Sequence, residues 1–178
     1  MFTVSHLESV APDLLAHRSE ASRNIDFELI YRLLGVDLPS DFKELARAYR
    51  TLEFDEFLRV PVPQPGKEEK YVDGMRYELE IMQDLVDEDM TEGHVGFPEP
   101  GGVIPWSESL SGDVFYWRFV GEDPDAWPVV VNSRNQEWWE FEGGAIAFLV
   151  GLIDGSVERW GLPDAVLGPN PSVRVLGG

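Results

Sequence analysis

The strongest constraint on this chain is a change of hydrophobic period partway along it. From Ile25 to about Met90, apart from an extended piece at 53–60, apolar side chains recur every three or four positions, whereas from Asp113 to Phe141 they alternate one by one. A 3.6-residue period buries one stripe of a helix and a two-residue period buries one face of a strand, so the two stretches are committed to different structures. The spacing predicts a helix from Ile25, with Ile25, Leu29, Ile30, Leu33 and Leu34 on one face and Gly35 as its left-handed stop. A second follows Pro39. There Asp41 and Glu44 have the spacing of a capping box, and Phe42, Leu45, Ala46 and Tyr49 form the buried stripe. A longer helix spans about Lys67 to Met90: Val72, Met75, Leu79, Met82 and Val86 step by three and four, while Glu69, Asp73, Glu80, Asp84 and Asp87 take the other faces. The last helix, about Gly144 to Asp154, turns Ala145, Phe148, Leu149 and Leu152 inward.

The alternating stretch divides into Asp113–Val120, Trp127–Asn132 and Glu137–Phe141, joined by connections short enough for an antiparallel meander. Residues 53–60 read as one extended piece stopped by Pro61, Pro63 and Pro65, and Gly93 to Pro105 reads as loop. Residues 1–24 form an arm or short helix, 25–154 the body, and 155–178 a tail or edge strand. Helices flanking an antiparallel sheet make the expected class α+β, in a single domain.

Charge narrows the function. The 178 residues hold 33 acids and 14 bases, a formal net charge of −19, yet 43% are hydrophobic, so the charge sits on a folded body. Such a surface repels phosphate backbones and anionic headgroups, which argues against nucleic-acid and membrane partners. The absence of cysteine excludes disulfides and thiolate chemistry. The N-terminal stretch has no basic, apolar leader pattern and no apolar run reaches membrane-spanning length, so the expected location is cytoplasmic. The acidity is uneven. Residues 68–142 carry 19 acids and 4 bases, whereas 18–59 carry 9 acids and 7 bases. The charge therefore belongs to one region, suited to a cationic protein.

Catalytic patterns are missing. There is no phosphate-binding Gly-rich loop, and His6, His17 and His94 lie in separate segments without ligand spacing. Asp87, Asp89 and Thr91 alternate as in a calcium loop, but Glu92 and Pro98 stand where that loop needs Gly and Glu. Glu122, Asp123 and Asp125 around Pro124 fit a tight turn. Ser107, Ser109 and Ser111 lack a nucleophile-elbow context, and Glu108 and Asp113 serve equally well as loop acceptors. The expectation is a non-enzymatic protein with no metal and no cofactor. Five of the six tryptophans fall between Trp106 and Trp139, where only Arg118 and Arg134 supply cations, so they are core rings rather than a base-stacking platform. Alternation puts Trp138 opposite Trp139, on the outer sheet face beside Glu140. There it is either covered by the tail or a contact hot spot. The candidate partner-binding residues are thus Asp84, Asp87, Glu88 and Asp89 at the end of the long helix, Glu122, Asp123 and Asp125 in the hairpin turn, and Trp138 with Glu140.

The order of motifs resembles the SUKH superfamily, the Smi/Knr-type domains, over about residues 25–154. The resemblance lies in Leu38-Pro39-Ser40-Asp41-Phe42-Lys43-Glu44-Leu45 at a helix start and Ile104-Pro105-Trp106 with Gly112-Asp113-Val114-Phe115-Tyr116-Trp117. It continues through Trp127-Pro128-Val129-Val130-Val131, Glu137-Trp138 and the closing Phe148-Leu149. The long acidic segment 67–92, the arm and the tail depart from the pattern. The resemblance implies an α+β domain without cofactor or catalytic residues. It also implies, as in many bacterial members, an immunity protein of a polymorphic toxin system that binds and neutralises a toxin, often a nuclease. An intracellular regulatory module is the alternative. A basic toxin would profit from an inhibitor that carries the phosphate-like charge found here.

Overall fold

Both periods become structure in the computed structural model, which describes residues 1–164 and 167–177. The helices are α1 Val4–Val10, α2 Phe27–Leu34, α3 Ser40–Ala48, α4 Glu68–Asp87 and α5 Ala145–Asp154. The strands are β1 Leu52–Phe54, β2 Leu58–Val60, β3 Val103–Ser109, β4 Val114–Arg118, β5 Val129–Asn132, β6 Trp138–Phe141 and β7 Val173–Val175. They form one antiparallel sheet of seven in the order β6-β5-β4-β3-β2-β1-β7, so the domain is α+β. The predicted meander is β4–β5–β6.

Alternation sorts the meander side chains to two faces. Phe115, Trp117, Val129 and Val131 join the main core with Phe42 of α3 and Phe148 and Leu149 of α5. Phe42 meets the Trp117 ring edge-on at 4.9 Å, and Trp106 meets Phe148 edge-on at 6.2 Å, geometries that suit aromatic quadrupoles. The opposite face presents Val103, Tyr116, Val130 and Trp138 to Met82 of α4. The N-terminal half of α4 docks on α2. There Arg76 donates to the Leu33 carbonyl at 2.8 Å, and the Glu68 carboxylate accepts the Asp26 N–H at 3.0 Å. The long helix thus crosses the sheet from α2 to β6.

Three local expectations change, and the N-terminal segment, read as an arm or short helix, gains detail. Residues 53–60 are a hairpin, not one extended piece. Asp55 and Glu56 both adopt left-handed φ angles near +50° in the three-residue loop between the strands, which the Phe57 N–H closes onto the Phe54 carbonyl at 2.9 Å. The Asp55 carboxylate accepts N–H groups from Leu167 and Ser172, which fixes a turn that neither residue favours alone. Residues 103–105, expected as loop, begin β3. Pro105 is tolerated because the ladder shifts register between Pro105 and Ser107. Asp41 does not sit at the N-cap of α3, a place taken by Pro39. Its carboxylate accepts the Phe42 N–H at 2.7 Å and the Ile146 N–H at 3.2 Å, bringing the start of α5 against α3. Residues 1–24 include α1 and a 3-10 turn at Pro12–His17, and Val4, Leu7, Ala11 and Leu14 are buried in the main core.

The tail contributes β7, which pairs with β1 and sets Arg174 beside Glu53. Register then places Arg174, Glu53, Arg59, Glu108, Val114, Asn132 and Trp138 in one row across all seven strands. The row is charged at the β7 end and uncharged from Val114 to Trp138, where the end of α4 covers it. Glu53 is fully buried and bonded to Arg59 and Arg174 at 2.6 Å each. Burial alone would raise its pKa, but the two guanidinium groups hold it below the ordinary carboxylate value.

Candidate functional site: the acidic outer face of the long helix

Helix α4 runs for 20 residues, and its stripe of Val72, Met75 and Met82 is buried. The outward stripe is mixed. Tyr77 is 62% exposed and Ile81 39%, and Asp84 and Glu88 continue the same line at helical spacing. Asp87 accepts a hydrogen bond from Gln83 at 2.8 Å, and Asp89 has a left-handed backbone just past the helix end. Among the described residues, none of Asp84, Asp87, Glu88 and Asp89 has an ion-pair partner. The last turn carries no base, so the four charges sit against the negative end of the helix dipole without local compensation.

Trp138 lies on the predicted outer face, but it is not an open contact residue. The end of α4 and the segment after it cover the ring, leaving it 9% exposed. Its indole N–H donates to the Met90 carbonyl at 3.2 Å, and its ring stacks between His94 at 4.8 Å and Tyr116 at 6.0 Å. The cover comes from the α4 end rather than from the tail, because the apolar inner stripe of α4 draws the helix across this face. Glu140 is half-buried and pairs with Arg118 at 3.3 Å, so its charge is partly neutralised. Burial lowers the His94 pKa, and nearby Glu140 opposes the shift while Arg118 adds to it.

The hairpin acids stand elsewhere. Asp123 accepts the Asp125 N–H within its own turn. Asp125 accepts from the Ser40 N–H at 2.6 Å and the Ser40 hydroxyl at 2.8 Å, so it serves the first turn of α3. This ties the hairpin to the helical layer on the far side of the sheet from the end of α4 that carries the four acids. Trp138 and Glu140 are therefore gathered with the α4 acids, whereas Glu122, Asp123 and Asp125 are not. Sequence reasoning missed Tyr77 and Ile81. Their signal was apolar character off the buried stripe of an otherwise regular helix.

The motif residues shape the fold. The Asp113 carboxylate accepts from the Ser109 hydroxyl, the Ser111 hydroxyl at 2.9 Å and the Arg134 N–H at 2.9 Å, joining two turns. Gly112 beside it has φ +98°, a backbone that glycine adopts without strain. Burial raises the Asp41 pKa, and its two backbone N–H donors pull it partly back. Among the described residues, no group of three His, Asp or Glu side chains could hold a metal ion, and no helix is long and apolar enough to cross a membrane. Comparison with protein-family models, curated proteins and solved structures found no match to this chain.

Proposed function

We propose that this chain is a non-enzymatic binding protein, a cytoplasmic immunity protein of the SUKH type that neutralises a cationic toxin domain. The observation that carries this reading is the concentration of 19 acids against 4 bases between residues 68 and 142. The exposed, ion-unpaired group Asp84, Asp87, Glu88 and Asp89 beside Tyr77 and Ile81 supports it. Long-range attraction steers a basic partner to this face, and the two apolar side chains supply area from which water can be expelled. A toxin that cleaves nucleic acid has a cationic active site, and such a site is the natural target for fixed carboxylates.

The test is co-expression with toxin domains encoded beside the gene, scored as growth rescue, followed by association kinetics with the rescuing pair. Protection is expected. The combined change Asp84→Asn, Asp87→Asn, Glu88→Gln and Asp89→Asn should slow association about tenfold at low salt and flatten its salt dependence. Failure to protect against every neighbouring product, or a salt response unchanged by those substitutions, overturns the proposal.

A further inference from the structure

Between the N-terminal half of α4 and the sheet lies a cleft of about 420 Å³. That volume falls within the roughly 300–1,000 Å³ of small-molecule sites. Pro105, Glu108 and Val114 line it from the sheet, and Tyr71, Met75 and Glu78 from the helix. The helix side is open at Gly74, where a Cβ would meet nothing within 4 Å.

Three features set the chemistry. Glu78 and Glu108 reach the same space from different elements, and neither has an ion-pair partner among the described residues. The cation nearest in register to Glu108 is Arg59, whose guanidinium is engaged by Glu53 at 2.6 Å. Burial, and then the charge of Glu108, raise the Glu78 pKa, as for a carboxylate that lacks a counter-ion. Second, the Tyr71 hydroxyl is buried without a hydrogen-bond partner. Closed off even from water, that oxygen belongs to a dry stretch of the cleft wall, beside which an unpaired carboxylate gains more from a counter-charge than it would in open solvent. Third, the cleft's two cations, Lys67 and Lys70, belong to the start of α4. At 1.5 Å per residue, Lys70 precedes Glu78 by about 12 Å along the helix.

We propose that this cleft binds a small organic monocation, its ammonium or guanidinium head held between Glu78 and Glu108 and its apolar body lying along Met75, Pro105 and Val114. A carboxylate pair with no cation of its own gains most from one positive charge, whereas the lysines at the far end repel a second. The ligand class is therefore an amine or guanidine on an apolar stem, not a polyamine. The site adjoins the partner surface at Tyr77, which also lines the cleft, but its two carboxylates, Glu78 and Glu108, are distinct from the Asp84, Asp87, Glu88 and Asp89 group.

Calorimetry and amide-resolved NMR on the full chain test this with 4-phenylbutylamine, its neutral analogue 4-phenylbutanol, 4-phenylbutyrate and spermidine. The amine should bind about tenfold more tightly than the alcohol, with the acid and spermidine weaker still. Shifts should centre on residues 74–78 and 105–108. The E78Q/E108Q variant, checked for folding by its thermal transition, should lose that tenfold preference, and D84N/D87N should keep it. Equal binding of amine and alcohol, tighter binding of spermidine, an undiminished preference in E78Q/E108Q, shifts centred on Asp84–Asp89, or no binding at millimolar amine would each overturn the proposal.

Discussion

Trp138 shows how a single side chain acquires its role from what lies over it. A tryptophan on the outer face of a sheet next to an acid has the makings of a contact residue. Here its ring is sandwiched between His94 and Tyr116 and its N–H is taken by Met90. Trp138→Ala should therefore cost about 3–5 kcal/mol of stability by urea unfolding. An unchanged midpoint would return the ring to the list of contact candidates. The neighbouring His94 carries a pH signature. Burial lowers its pKa, so as pH falls below the ordinary imidazole value of about 6.5 the unfolded chain takes up the proton first. The stability this group contributes is present above that value and is lost as pH falls through its folded pKa. His94→Gln should remove this portion of the slope, read as the difference between the two proteins' unfolding free energies across the window.

At the scale of elements, the end of α4 combines poor helix chemistry with a well-defined surface. Four acids at a helix C-terminus are each worth about 0.3–1 kcal/mol in the wrong direction, less when screened by salt. Replacing Asp84, Asp87, Glu88 and Asp89 by their amides should raise thermal stability while weakening partner association. A gain in both would mean that the acids serve no contact. The strand β7 depends on a different balance. Glu53→Ala removes the buried carboxylate that joins Arg59 to Arg174, two half-exposed guanidinium groups, and it should cost about 2 kcal/mol and loosen β7, read as faster amide exchange at residues 173–175. Because the guanidinium groups hold the Glu53 pKa below its ordinary value, its contribution is complete above that value and is lost as pH falls through the folded one. The elements legible in the chain were those with a sustained period: α2, α3, α4, α5 and the β4–β5–β6 meander. The β1–β2 hairpin was hidden because its turn uses Asp55-Glu56 without glycine, stabilised by partners more than a hundred residues away. The start of β3 was hidden by Pro105, whose cost a register shift absorbs.

For the whole molecule, the site was legible as charge and illegible as shape. Counting acids located the region 68–142, since net charge needs no coordinates. It could not separate the α4 acids from Asp125, because only the folded chain sets Asp125 against Ser40 in the opposite layer. The net charge of −19 also acts on the fold itself, since like charges on one body repel. Raising salt from low to physiological strength should therefore increase the unfolding midpoint, an effect smaller in the four-amide α4 variant. A midpoint insensitive to salt in both proteins would show that self-repulsion is negligible.

The placement of β7 bears on how the molecule is made. Strand β1 is complete by Phe54, yet the partner for its outer edge comes only with Val173–Val175, after more than a hundred further residues. During synthesis the nascent protein therefore presents an open row of backbone donors and acceptors at Leu52–Phe54. That row is a template for pairing with other chains. Polysomes crowded with this message are where mispairing would begin, and the late arrival of three residues is what ends the exposure.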